Sequence, residues 1–147
     1  MYHTFKRGFS LLEILLSLTL IGIMAGMVMP VSRNFLNRNE LDQTVTNSVY
    51  FLRRAQALAL AGDGDSAWGV KLSQSSILLF KGDSYATRDS LFDESISIAP
   101  IITFSGVGEF VFQKGSGLPS TTGTSSFTLF SNETRTITVN QKGMVSY

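Results

Sequence analysis

Hydrophobic and polar positions change their period twice along the chain. From Phe9 to Val31 there are 23 residues with one charge among them, Glu13, and no polar face. A helix of that length rises about 1.5 Å per residue and spans roughly 30 Å or slightly more, enough to cross a bilayer. From Ser32 to Ala61 apolar positions recur every three or four residues: Leu41, Val45, Val49, Leu52, then Gln56 as the one polar member, then Ala59. Arg33, Arg38, Glu40, Asp42, Arg53 and Arg54 mark the more polar faces, so this stretch reads as an amphipathic continuation of the same helix. Gly62 is a helix stop. One helix from Ser10 to Ala61 would hold 52 residues and extend about 75–80 Å.

Beyond Gly62 the helical period disappears. Ala67–Leu72 and Ser76–Lys81 are β-prone runs about a Ser-Gln-Ser turn; Ile96–Ile98, Ile101–Phe104 and Phe110–Phe112 follow, broken by Pro100 and Gly106-Val107-Gly108. Phe127–Phe130, Arg135–Val139 and Met144–Tyr147 close the chain, the last two joined by a hairpin loop at Asn140-Gln141-Lys142-Gly143. Arg135–Val139 alternates polar with apolar, as a half-buried strand does. Many short strands without intervening helices predict an antiparallel sheet. The expected class is α+β: a long amino-terminal helix, transmembrane and then amphipathic, packed on a small antiparallel β-sheet head. The expected boundaries are residues 1–8 (leader), 9–31 (transmembrane half), 32–61 (amphipathic half) and 62–147 (β-rich head).

Charge and composition narrow the chemistry. From Gly62 onward there are six basic and eight acidic residues, so the head is slightly acidic although the whole chain is +1. That leaves no electrostatic footprint for nucleic acid. Arg53-Arg54 is a single basic pair and reads as a solvated helix face. With no cysteine, a thiol nucleophile, a thiolate metal site and a disulfide framework are all excluded. The one histidine, His3, lies in the leader, which removes histidine-based acid–base chemistry and the common zinc sets from the remainder. Asp93-Glu94 are adjacent carboxylates, but neighbours on a strand face opposite ways. Gly62-Asp63-Gly64-Asp65-Ser66 offers alternating oxygens without the further ligands of a calcium loop, and reads as a polar turn. Gly115–Ser126, rich in Gly, Ser and Thr, reads as a flexible surface loop and lacks the Gly-Lys-Ser/Thr of a phosphate loop. Trp68 reads as a packing residue. Neither an enzyme nor a cofactor or metal site is expected.

The amino terminus carries the most specific pattern. Lys6-Arg7 before the apolar run favours a cytoplasmic amino terminus. A carboxylate near the start of such a run is costly, less so than the roughly 2.5–3.5 kcal/mol at a membrane midplane. Ser10-Leu11-Leu12-Glu13 has the form of a capping box, which would give Glu13 a local role, and Glu13 is also shallow enough to reach lipid headgroups. Gly22 and Gly26 form a G-x-x-x-G pattern, and Pro30 removes a backbone donor and tends to kink the helix. A basic leader ending in Gly8, then Phe9, with Glu13 fifth in the apolar helix and Gly22 and Pro30 further along, resembles the class III signal of type IV prepilins and pseudopilins. A looser match follows in the head, where Phe112-Gln113-Lys114-Gly115-Ser116-Gly117, the Arg135–Val139 strand and Gly143 resemble the GspH/FimT-type minor pseudopilins.

The resemblance implies cleavage between Gly8 and Phe9 by an inner-membrane prepilin peptidase, which then methylates the new amine of Phe9. It implies single-pass residence in the inner membrane with the head extracytoplasmic, and use of Glu13, Gly22 and Pro30 in filament assembly. The implied partners are that peptidase and N-methyltransferase, membrane lipid, an inner-membrane assembly platform and other pilins or pseudopilins. The implied function is a structural, minor subunit of a type IV pilus, a type II secretion pseudopilus or a competence filament. A DNA- or surface-binding tip module is the first alternative and a membrane-anchored enzyme the second; against DNA, the tail Gln141–Tyr147 holds one basic residue, and against an enzyme stands the missing catalytic constellation.

Overall fold

The structure, a computed structural model, describes residues 10–130 and 133–147, with the side chains of 27–34 outside that description. The chain divides into two compact units, one ending at Leu36 and one comprising Asn37–Tyr147. Helix α1, Leu11–Ala61, supplies the helical part of both. Its assignment continues through Pro30, whose side chain lies outside the described residues.

The second unit combines the Asn37–Ala61 part of α1 with eight strands in two antiparallel sheets. The first sheet has the order β3-β2-β1-β5, built from β1 (Trp68–Leu72), β2 (Ser76–Lys81), β3 (Asp89–Ser97) and β5 (Glu109–Phe112). The second has the order β4-β6-β7-β8, built from β4 (Ile102–Gly106), β6 (Gly123–Leu129), β7 (Thr134–Val139) and β8 (Val145–Ser146). The Ser73–Ser75 turn joins β1 to β2, and Ser73 stabilises it: its hydroxyl donates to the Ser76 carbonyl at 2.8 Å and accepts from the Ser76 amide at 3.1 Å. At the tip of that turn Gln74 behaves like one more strand residue for the other sheet. Its amide nitrogen donates to the Ile102 carbonyl at 2.7 Å, and its oxygen accepts from the Phe104 amide at 2.9 Å.

One buried cluster unites helix and sheets. Leu41, Leu52, Ala55 and Ala59 on α1 are fully buried, as are Val70, Leu79 and Phe110 of the first sheet and Ile102, Phe127 and Ile137 of the second. Each large side chain so buried contributes about 1.5–3 kcal/mol relative to exposure. The helix buries a wider face than its apolar periodicity predicts. Thr44, Phe51 and half-buried Leu58 form an adjoining row seven residues apart, and Ser48 is buried as well. The two hydroxyls enter the core because they bond back into the helix, Thr44 to the Glu40 carbonyl at 2.8 Å and Ser48 to the Thr44 carbonyl at 2.7 Å. A second, smaller cluster of Ala67, Phe80 and Val111 lies on the other face of the first sheet. Gly69 is required there, since a Cβ would overlap the Phe80 ring.

The α+β class is as expected, and four local expectations are corrected. The single small sheet is two sheets of four strands each. The nine-residue strand β3 was signalled only at Ile96–Ile98; it is an edge strand exposed along most of its length, so neither face imposes the alternation that betrays a strand. Gly115–Ser126 is no simple loop: its last four residues open β6, and Phe112 and Pro119 form a β-bridge before them. Gly106, taken as a breaker, is the last residue of β4, where its positive φ of 100° and the adjacent Thr124 carbonyl leave no room for a Cβ.

Because the Asn37–Ala61 part of α1 completes the core of the second unit, a fragment starting near Arg33 is expected to be soluble, with both helix and strand in its circular dichroism. A purely helical spectrum from a monodisperse sample would contradict the two-sheet architecture.

Candidate assembly site

The first unit has the composition of a core and the exposure of a surface. Leu11, Leu12, Ile14, Leu15, Leu16, Leu18, Leu20, Ile21, Ile23 and Met24 point to every side of the helix, and each is at least half exposed. A helix apolar all round is stable in water only when something surrounds it. Among the described residues no helix is long and apolar enough to cross a membrane; the run predicted to do so, Phe9–Val31, extends beyond those residues at both ends.

Glu13 sits in the first turn of this helix, where the backbone dipole favours a carboxylate. The turn closes through the main chain: the amides of Glu13 and Ile14 both donate to the Ser10 carbonyl, at 3.0 and 3.2 Å. Among the described residues neither the Ser10 hydroxyl nor the Glu13 carboxylate makes a capping hydrogen bond, so the reciprocal capping box is not formed. The hydroxyls of Ser17 and Thr19 fold back onto the Glu13 and Leu16 carbonyls, at 2.7 and 2.9 Å, and keep their polarity inside the helix. Gly22 and Gly26 have open space where a Cβ would stand, so within one chain nothing requires them to be glycine. Gly8 and Phe9, the expected cleavage site, lie outside the described residues.

In the second unit, residues read separately in the sequence converge on the end of α1. Phe112 is fully buried. Gly115 donates its amide to the Ala59 carbonyl at 2.8 Å, a second bond beside that from the Gly62 amide at 3.1 Å. Gln56, the polar member of the apolar stripe, donates to the Gly117 carbonyl at 3.1 Å. Gly143, at φ 76° in the β7–β8 turn, lies so close that a Cβ would overlap the Gln56 amide. The Phe-x-x-Gly segment and the hairpin glycine thus form one lock on the helix terminus. Gly62 follows in the left-handed conformation, φ 68°, and ends the helix.

Ion pairs fasten the flanks. Arg54 grips Glu94 of β3 with two bonds of 2.6 Å, and this contact raises the Arg54 pKa above its usual value. Arg38 binds Glu133 at 3.0 Å; Arg135 of β7 binds both Glu133 and Asp42, at 3.0 and 3.1 Å. These pairs are partly exposed, and solvent screening keeps each below about 1 kcal/mol. Lys114 pairs with Asp65 and lowers its pKa below 3.8; stability from that pair is present above pH 3.8 and lost as acid protonates Asp65. Asp93 and Glu94 diverge as strand neighbours do: Asp93 takes Arg88 at 2.8 Å while Glu94 takes Arg54. Trp68 is buried and donates its indole N–H to the Asp63 carbonyl at 3.0 Å, so the polar turn positions a core residue. Sequence periodicity missed Gln74, Glu94 and Glu133 as ties, since a single polar residue in a loop or strand carries no period.

Residues 4–29 match the family described as the prokaryotic N-terminal methylation motif. Among solved structures, the chain is similar to the minor pseudopilin EpsH from the type 2 secretion system of Vibrio cholerae, at a TM-score of 0.55 and 12% identity, over 73% of this chain and 94% of that one. The chain carries a prepilin-type motif and the fold of a pseudopilin. No curated relative matches it. At that identity the likeness speaks for the fold, and the motif speaks for the amino terminus.

Gly143→Ala forces a side chain into a left-handed position and against Gln56, and is expected to cost about 1–2 kcal/mol or more. Urea unfolding of the variant beside wild type measures it, and an unchanged midpoint would show that the lock is not formed.

Proposed function

We propose that the chain is a structural subunit, of the minor pseudopilin kind, of a filament related to type IV pili and type II secretion pseudopili. The observation that carries this reading is the exposed apolar helix Leu11–Met24, with Glu13 in its first turn and Gly8-Phe9-Ser10 before it. Lipid would cover that surface while the subunit is stored in the inner membrane, and neighbouring helices would cover it in the filament. The methylation motif supports processing after Gly8 by a prepilin peptidase, with methylation at Phe9 and a head on the far side of the membrane. The pseudopilin fold supports a role in assembly rather than catalysis. Gly22 and Pro30 would act in that assembly, Gly22 by giving a neighbouring helix room to approach and Pro30 by letting the helix loosen on packing.

Processing is directly measurable. Co-expression with a prepilin peptidase is expected to remove eight residues and leave Phe9 as the amino terminus, and Gly8→Val is expected to block the cut. Intact mass retaining Met1 beside an active peptidase would refute the motif's role.

Glu13 provides the second test. In the filament reading its carboxylate pairs with the charged amine of Phe9 on a neighbouring subunit, an amine created only by the cut. Such a pair offsets part of the desolvation of both groups. Glu13→Gln keeps the size and removes the charge, so cleavage and membrane level are expected to persist while incorporation into sheared filaments or cross-linked tip complexes falls. A residue acting as a local cap would tolerate Gln, which serves equally well in a capping box. Wild-type incorporation of the variant would leave Glu13 as a local residue.

A further inference from the structure

The outer face of the second sheet is a grid of hydroxyls. Thr103, Thr128 and Thr134 lie opposite one another across β4, β6 and β7, and Ser105, Ser126 and Thr136 form the next row. A third row, Thr124, Thr138 and Ser146, crosses β6, β7 and β8. The opposite parity is buried: Ser125, Phe127 and Leu129 on β6, Ile137 and Val139 on β7. Every outward position in the three rows therefore carries a hydroxyl. Strand geometry sets their repeat at about 4.8 Å across the sheet and about 6.7 Å along each strand.

Two features separate this face from an ordinary solvated one. The first is the absence of charge, which exposed sheets commonly use to stay soluble. The four strands contain one charged residue, Arg135; it stands at an inward position of β7 and is held by Asp42 and Glu133. The second is order. Thr124 and Thr138 are hydrogen-bonded to each other at 3.1 Å, Thr128 and Thr134 at 3.0 Å, and Thr103 donates to the Thr128 carbonyl at 3.0 Å. Each hydroxyl of a bonded pair keeps capacity for a further partner, and β-branched threonine has few rotamers to lose. Two residues past Thr128, Phe130 stands 77% exposed at the end of β6.

We infer that this face binds a neutral polysaccharide. Fixed hydroxyls offer both donors and acceptors to sugar hydroxyls at a regular repeat, and the exposed Phe130 in the turn that follows β6 offers an aromatic surface for the C–H face of a sugar. An uncharged ligand matches an uncharged face. Nucleic acid or an acidic polymer would call for Lys or Arg, and a protein partner for several aromatic or Arg anchors at its centre; the three rows hold neither. The inference does not rest on the filament reading, and its readout is independent of leader cleavage and incorporation.

The test uses the full-length chain in lauryldimethylamine oxide, a detergent without a sugar headgroup, co-sedimented with microcrystalline cellulose and with starch granules. Wild type is expected in the pellet of at least one, with a bound fraction that hardly changes between about 50 and 500 mM salt, since no counterions are released. Thr136→Val and Ser126→Ala together remove two hydroxyls of the middle row, and Thr136→Val keeps β-propensity; their combination is expected to cut the bound fraction at least about fivefold with an unchanged circular dichroism spectrum. Phe130→Ala is expected to weaken retention as well. Failure of wild type to sediment with either solid, retention that fades with salt, or undiminished retention of the double variant would each overturn the inference. So would self-association in place of retention, if Ser126→Lys abolishes it, because the face would then join copies of the chain.

Discussion

Helix α1 meets two different demands for burial, and the rest of the structure follows from how each is met. From Asn37 to Ala61 one broad stripe is apolar, and two sheets from the same chain cover it. From Leu11 to Met24 every side is apolar and no described residue covers it. Each exposed Leu or Ile there forgoes about 1.5–3 kcal/mol of burial. In the proposed filament reading that cover comes from lipid or from neighbouring subunits. That is the physical content of the pseudopilin reading: the head completes itself, and the leading half of the helix is completed by lipid or by its like.

A helix held by one stripe needs its end fixed, since a terminus frays where its carbonyls lack partners. Here the fixing groups come from far along the chain. Gly115 caps Ala59, Gly117 accepts from Gln56, and Gly143 makes space for the Gln56 amide. All three of these glycines have positive φ, which L side chains rarely adopt, and at Gly143 a Cβ would also overlap the Gln56 amide. One polar residue in the apolar stripe thus organises two distant loops, which explains why Gln56 interrupts an otherwise apolar series.

How much of this was legible in the sequence depended on whether a residue's environment had a period. The helix, its apolar stripe, the β-rich character of the head and the final hairpin all follow from recurrence of apolar positions. The long edge strand β3 did not, because a strand exposed on most of its length shows no alternation. The start of β6 did not either, because Gly-Thr-Ser-Ser reads equally as linker and as strand. Threonine's β-branching favours the strand, and the partner strand β7 decides the matter. Of the residues proposed for assembly, Glu13 stood out as the one charge in the apolar run and Gly22 within G-x-x-x-G, and only their spacing within a known motif suggested a shared role. In the isolated chain Gly22 has nothing near it, so its identity has no intramolecular reason.

The distribution of charge within the head is ordered by the same division of faces. Arg38, Asp42 and Arg54 of the helix reach Glu133, Arg135 and Glu94 of the two sheets and their ends, so these six charged groups gather at the seams where helix and sheet meet. Partly exposed pairs of this kind add little net stability. Their effect is on geometry: a bidentate pair such as Arg54–Glu94 fixes the direction of its partner, and the shared Glu133 couples Arg38 to Arg135. Placing Arg135 on the helix side of β7 has a consequence on the opposite side of its strand, because it takes the one charge in the four strands of the second sheet away from that face. The outer face is left with hydroxyls alone, stable as a strand surface through β-branching and soluble through hydrogen bonding.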